Sequence, residues 1–107
     1  MAAIIFTHGF ETDKKKLKKR YPAVDTGVQQ IVGQFVRNEK VDGVRVPDAP
    51  GCLKVRVKND DNSRGKSAGY RVLYSTLSGG TVLLFAIYEK TKEDKKAAEV
   101  RALRNRP

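Results

Sequence analysis

The sequence predicts an α/β (α+β) fold in one domain, residues 1–107, on three observations. Three apolar, strand-like runs lie between Cys52 and Lys90, joined by turn-rich loops as in an antiparallel meander. Ahead of them, Val28, Ile31, Val32, Phe35 and Val36 recur at the i, i+3, i+4 spacing of an amphipathic helix. And 107 residues suffice for a hydrophobic core without disulfide or metal staples.

Each element has its own signal. Ala2–Thr7 (AAIIFT) is a short β-branched run that reads as a first strand, broken near Gly9. Phe10–Arg20 reads as a helix with Phe10, Leu17 and then Tyr21 on one side; six of the seven residues from Lys14 to Arg20 are basic. Such a run is either a solvated helix face or a patch for phosphate contact. Pro22 ends this helix, and Asp25 is the expected N-cap of the next, which runs to near Glu39. Gly27 and Gly33 lower its intrinsic propensity, so packing must hold it. Val41–Pro50 (VDGVRVPDAP) carries two prolines that exclude it from a central strand.

In Cys52–Lys58, Leu53, Val55 and Val57 alternate with Lys54, Arg56 and Lys58. Period two places the aliphatic set against the helices and the three cations on the opposite face. Like charges held two residues apart either splay into water or meet an anion that offsets their repulsion. The loop Asn59–Gly69 contains RGKS (Arg64–Ser67), which is not a P-loop: Asp60 stands where the first glycine is required, and a strand follows where a helix is needed. What remains is a glycine-containing loop with Arg64 and Lys66 free to wrap a ligand. Tyr70–Leu77 and Thr81–Lys90 form a hairpin across Ser78-Gly79-Gly80. The run TVLLFAIY is apolar at both parities, as an interior strand covered on both sides would be. Thr91 is the expected cap of a final helix, with Asp94 at its third position and Ala97, Val100 and Leu103 along it; Lys92, Lys95 and Lys96 make its start basic.

Composition narrows the function classes. Twenty-two Lys and Arg against twelve Asp and Glu give a net charge of +10, which predicts a polyanionic partner, nucleic acid first. The lone Cys52 fits a reducing cytoplasm. No run approaches membrane-spanning length, and one histidine without a Cys/His cluster argues against structural zinc. No metal and no cofactor are expected.

With these residues laid out, the chain resembles the RelE/HigB superfamily of type II toxins, the ribosome-associated mRNA interferases. The resemblance runs over nearly the whole length. It rests on KVRV at Lys54–Val57, RGKSAGYRVLY at Arg64–Tyr74 and LLFAIYEKTKED at Leu83–Asp94, with IIFTHGFETDKKKLKKRYP as the N-terminal strand and basic helix. It implies a RelE-like fold with two N-terminal helices packed on an antiparallel sheet of about four strands and a short C-terminal helix. It implies mRNA as substrate, the ribosome as partner, and a cognate antitoxin that masks the toxin in a hetero-oligomer. Carried over by position, the catalytic set is Lys54, Arg56, Arg71, Tyr88 and Lys90; the other cations around it, Arg64, Lys66, Lys58, Lys92 and Lys95, are the expected RNA-binding residues. Thr91 stands where some members have arginine, and no tyrosine follows in the last helix, so Tyr88 takes the aromatic role. Gyrase-poisoning ParE relatives share the fold without cutting RNA.

The implied chemistry is attack by the RNA's own 2′-hydroxyl on the adjacent phosphate. It needs a base, cations for the developing charge and an acid for the leaving 5′-oxygen. His8, at the first strand–helix junction, reads as structural. Lys54 serves as base only if crowding by Arg56, Lys58 and Arg71 lowers its proton affinity. Arg64 and Arg71 are better cast as phosphate clamps. Three readings follow: a ribosome-dependent endoribonuclease, a non-catalytic RNA-binding or ribosomal module, and a topoisomerase-directed toxin. The first requires the cations around one concavity, not dispersed and not spent on carboxylates.

Overall fold

The computed structural model describes residues 3–57, 69–89 and 94–106. Strand β1 (Ile4–Phe6) leads straight into helix α1 (His8–Arg20), whose N-terminus is capped by Thr7: the threonine hydroxyl accepts from the Phe10 N–H at 3.1 Å. Helix α2 (Val24–Val36), strands β2 (Val44–Arg45), β3 (Leu53–Val57), β4 (Tyr70–Thr76) and β5 (Val82–Glu89), and helix α3 (Ala97–Asn105) follow. The chain is thus mixed α and β, with three helices and a five-stranded sheet in the order β1-β5-β4-β3-β2.

Several expectations need correction. The sheet has five strands instead of about four and is not wholly antiparallel, because β1 pairs parallel with β5 (Ile4↔Val82, Phe6↔Leu84). Chain order explains this: α1 and α2 carry the chain away from β1, and the last strand returns beside it. Asp25 is not a cap. It lies in the first turn of α2, where its carboxylate takes the Lys18 ammonium at 2.5 Å and that of Lys14 at 3.6 Å. The helix stops at Val36, and Arg37 then forks onto Glu39 through two 2.9 Å bonds. The turn-rich stretch still supplies β2, a two-residue edge strand, as its prolines permit. The final helix begins at Ala97, later than Thr91 would start it. Its N-cap is Lys96, whose N–H donates to Glu99 at 3.2 Å; Thr91 lies outside the described residues. Helix arrangement differs too, since α3 packs on the opposite sheet face from α1 and α2.

The sheet therefore separates two cores. Toward α1 and α2 point Val55, Val57, Tyr70, Val72, Tyr74, Val82, Leu84 and Ile87, meeting Phe10, Val24, Val28 and Ile31. The expected alternation in β3 holds, with Val55 and Val57 buried on this side. The other face is smaller: Leu73, Phe85 and Ala86 pack with Val100 of α3 and with Val46, Ala49 and Cys52 from the β2–β3 connection. The hairpin between β4 and β5 turns where expected, with Gly79 and Gly80 at φ of +80° and +82°, a conformation that glycine adopts without strain.

One irregularity decides what faces where. Leu73 pairs with Ala86 but Tyr74 pairs with Leu84, so Phe85 is an extra residue in β5. Parity changes across this bulge. Val82 and Leu84 face the helical core, Phe85 and Ala86 both face the second core, and Ile87 returns to the first. Tyr88 is thereby turned to the face that carries Lys54 and Arg56. Beyond the end of β1, side chains satisfy the bulged backbone. Arg106 donates to the Phe85 carbonyl at 3.0 Å, and the Ile87 N–H donates to Asp13 at 3.3 Å. Arg106 and Asp13 in turn form a two-pronged ion pair at 2.5 and 3.3 Å. Gly9 leaves room for this guanidinium, since a Cβ there would lie 2.2 Å from Arg106 Nε.

Candidate nucleic-acid interface

Three adjacent strands present polar side chains on the face opposite α1 and α2. Strand register sets Arg56 against Arg71 and Arg71 against Tyr88, so β3, β4 and β5 each supply one member of a row. Lys54 stands two residues before Arg56, on the same face by the period of the strand. Lys54, Arg56 and Arg71 line a groove of about 460 Å³, walled also by Asp42, Val44 and Val55.

Arg71 is the unusual member. It is only 4% exposed, yet among the described residues no carboxylate pairs with it. Its hydrogen-bond acceptors among those residues are the carbonyls of Gly69 at 3.4 Å and Tyr70 at 3.3 Å, both long. Burial lowers its proton affinity and the Arg56 guanidinium lowers it further, while the Asp94 carboxylate and Tyr88 act in the opposite direction without reversing the shift. A buried cation held so loosely is costly unless an anion meets it. Arg56 is exposed and makes no ion pair among the described residues.

Lys54 is engaged differently. Its ammonium lies 2.8 Å from Asp94 Oδ2. The other Asp94 oxygen accepts from the Tyr88 hydroxyl in a short hydrogen bond and from the Lys95 N–H at 2.8 Å. Burial works against the Asp94 charge, but donors from Lys54, Tyr88 and the Lys95 backbone outweigh it and hold the carboxyl at about 2. Burial first, then the bond to Asp94, push the Tyr88 hydroxyl well above its ordinary value. Lys95 places its ammonium 4.9 Å from the centre of the Tyr88 ring and also reaches Glu99 at 3.8 Å.

The expected site residues thus divide. Lys54, Arg56, Arg71 and Tyr88 gather at one place, with Lys95 against Tyr88. Lys54, whose role as a base depends on crowding by Arg56, Lys58 and Arg71, has a carboxylate beside it as well, so one of the gathered cations is engaged by an acid. Lys90, Arg64, Lys66, Lys58 and Lys92 lie outside the described residues. On α1, Lys14 reaches Glu11 and Asp25, and Lys18 pairs with Asp25, in keeping with a solvated, ion-paired face; His8 is exposed at the helix start. Asp94 is the residue that sequence reasoning misplaced, assigning it to a helix cap. A signal was present: it is an acid within a basic stretch (Lys92 to Lys96), six residues beyond a candidate tyrosine. No helix among the described residues is long and apolar enough to cross a membrane. No protein-family model matches this chain, and neither does any curated protein sequence.

Proposed function

We propose that this protein is the toxin of a type II toxin–antitoxin system, an endoribonuclease that cuts mRNA on the ribosome by metal-independent 2′-hydroxyl attack. The observation that carries this reading is Arg71, a buried guanidinium on a groove wall beside Arg56, with no carboxylate against it among the described residues. In this reading an RNA phosphate is the anion that meets this guanidinium directly. Its two free oxygens match the planar fork of a guanidinium, and Arg56 on the next strand reaches the same group. In the proposed step the ribose 2′-hydroxyl gives its proton to solvent as its oxygen attacks phosphorus, the bond to the 5′-oxygen breaks, that oxygen takes up a proton, and a 2′,3′-cyclic phosphate forms. Arg71 and Arg56 stabilise the charge that builds on the phosphorane oxygens. Tyr88 lies in the next strand, positioned to hold or move a proton at the 5′-oxygen. The ribosome contributes by ordering the mRNA, since positioning is worth several kcal/mol of barrier.

A second reading is favoured by one specific observation. Lys54 and Tyr88 are both occupied by Asp94, as in a site that binds RNA without cutting it. The two separate in a translation mixture containing ribosomes and a defined mRNA. The nuclease reading expects fragments ending in 2′,3′-cyclic phosphate, abolished by Arg71→Met with the fold intact by circular dichroism. Intact mRNA that nevertheless binds the protein supports the second reading. Growth arrest with intact mRNA and DNA damage supports a topoisomerase target.

A further inference from the structure

Resting on the nuclease reading above, we infer that Asp94 is the positioning residue of this site: its carboxylate fastens the Tyr88 hydroxyl and the Lys54 ammonium on either side of Arg71. The geometry is that of a bridge. Lys54 belongs to β3 and Tyr88 to β5, with β4 and its Arg71 between them. Asp94 spans the gap with one oxygen on each side, 2.8 Å from Lys54 and hydrogen-bonded to Tyr88. A third donor, the Lys95 N–H at 2.8 Å, orients the carboxylate itself. Each oxygen is committed to a donor, so this group is poorly suited to take a proton from a ribose. What it does well is hold. A tyrosine has two side-chain torsions and a lysine four; anchoring both tips removes the freedom that would otherwise be lost on reaching the transition state. Tyr88 has a single O–H proton, given to Asp94 at rest, so delivery to the leaving oxygen exchanges that hydrogen bond for one to the 5′-oxygen.

Asp94→Asn tests this, because the amide keeps the size and an acceptor but loses the charge. Two measurements are made on the full chain. The first is tyrosine ionisation followed by NMR, with the Tyr88 signal assigned by its loss in Tyr88→Phe. The charges facing the Tyr88 hydroxyl are Asp94, Lys95, Arg71 on the neighbouring strand and, through Asp94, Lys54. With only Asp94 changed, the Tyr88 midpoint is expected to fall, the share owed to burial remaining. The second is cleavage of a defined mRNA: kcat is expected to fall at least about 10-fold with KM little changed, and Asp94→Glu to recover part of both effects. Faster cleavage and tighter RNA binding in Asp94→Asn overturn the inference, showing the carboxylate to be a plug that RNA must displace. An unmoved Tyr88 midpoint overturns it too. If the wild-type chain cuts no RNA, it is the nuclease reading that fails, and the titration alone then decides whether Asp94 anchors Tyr88.

Discussion

Two aspartates in this molecule hold an arginine or lysine from a distant part of the chain, and they do so with opposite charge balance. Asp13 faces Arg106 in a two-pronged pair, and both residues also bond the backbone of the β5 bulge, although the buried Arg106 Nε has no hydrogen-bond partner among the described residues. One anion meets one cation there, and the surroundings are backbone and Gly9. Asp94 faces Lys54, but Arg71 and Arg56 stand beside that pair and make no ion pair among the described residues, although Asp42 lines the same groove. Balanced charge in the first case locks a strand edge. In the second, among the described residues, cations outnumber the carboxylate that is ion-paired there. The contrast separates an ion pair that is structure from one that borders the proposed site.

Four substitutions break or sharpen the contrast. The largest effect is expected from Arg71→Met, which swaps a buried cation for an apolar chain of similar length. RNA cleavage should fall by about 100- to 1000-fold, while urea unfolding shows stability unchanged or increased, as expected when an uncompensated buried charge is removed. A clear loss of stability would place Arg71 with Arg106, as structure.

Arg106→Met should act the other way round. It leaves Asp13 without its partner and removes a donor from the Phe85 carbonyl, so stability should drop by roughly 2–3 kcal/mol, the pair being only partly exposed. Because the bulge aims Tyr88, cleavage should weaken as well. A denaturation midpoint indistinguishable from wild type would mean that the bulge holds without this clamp.

A third, somewhat smaller effect concerns acid. The Asp94 carboxyl sits at about 2 in the fold against 3.8 ordinarily. A carboxyl lowered on folding stabilises above its unfolded value, and that stabilisation drains away as pH falls from about 4 through 2. The amount is roughly 2 kcal/mol. Asp94→Asn should therefore flatten this part of the stability–pH curve, as measured by thermal unfolding at each pH. Equal slopes for the two proteins would refute the coupling.

Arg56→Gln carries the smallest effect. Arg56 is exposed and supports nothing in the core, so stability should hardly change. RNA affinity should weaken by roughly 1 kcal/mol, and the slope of log affinity against log salt should shrink by about one. An unaltered salt slope would remove Arg56 from the phosphate contacts.

Much of this arrangement can be read along the chain. The alternation of Leu53, Val55 and Val57 with Lys54 and Arg56 announces a strand with one oily and one cationic face, because strand side chains alternate whatever the neighbours do. The amphipathic period of α2, the Gly79-Gly80 turn and the doubly apolar β5 are equally local in origin. Asp94 was misread for a local reason as well: an acid three residues after a threonine matches a helix cap, and nothing nearby in sequence reveals Lys54, forty positions back.

The charge of +10, the cationic strand face and the helix–sheet division were determined by the sequence alone, since the first is a sum over composition and the other two rest on spacings of two to four residues. The parallel seat of β1 beside β5, the single inserted residue at Phe85 and the bridge from Lys54 through Asp94 to Tyr88 were decided only by the tertiary structure. A run apolar at both parities gives no hint of where its register slips, and that slip, held by Asp13 and Arg106 from opposite ends of the chain, decides which face Tyr88 meets.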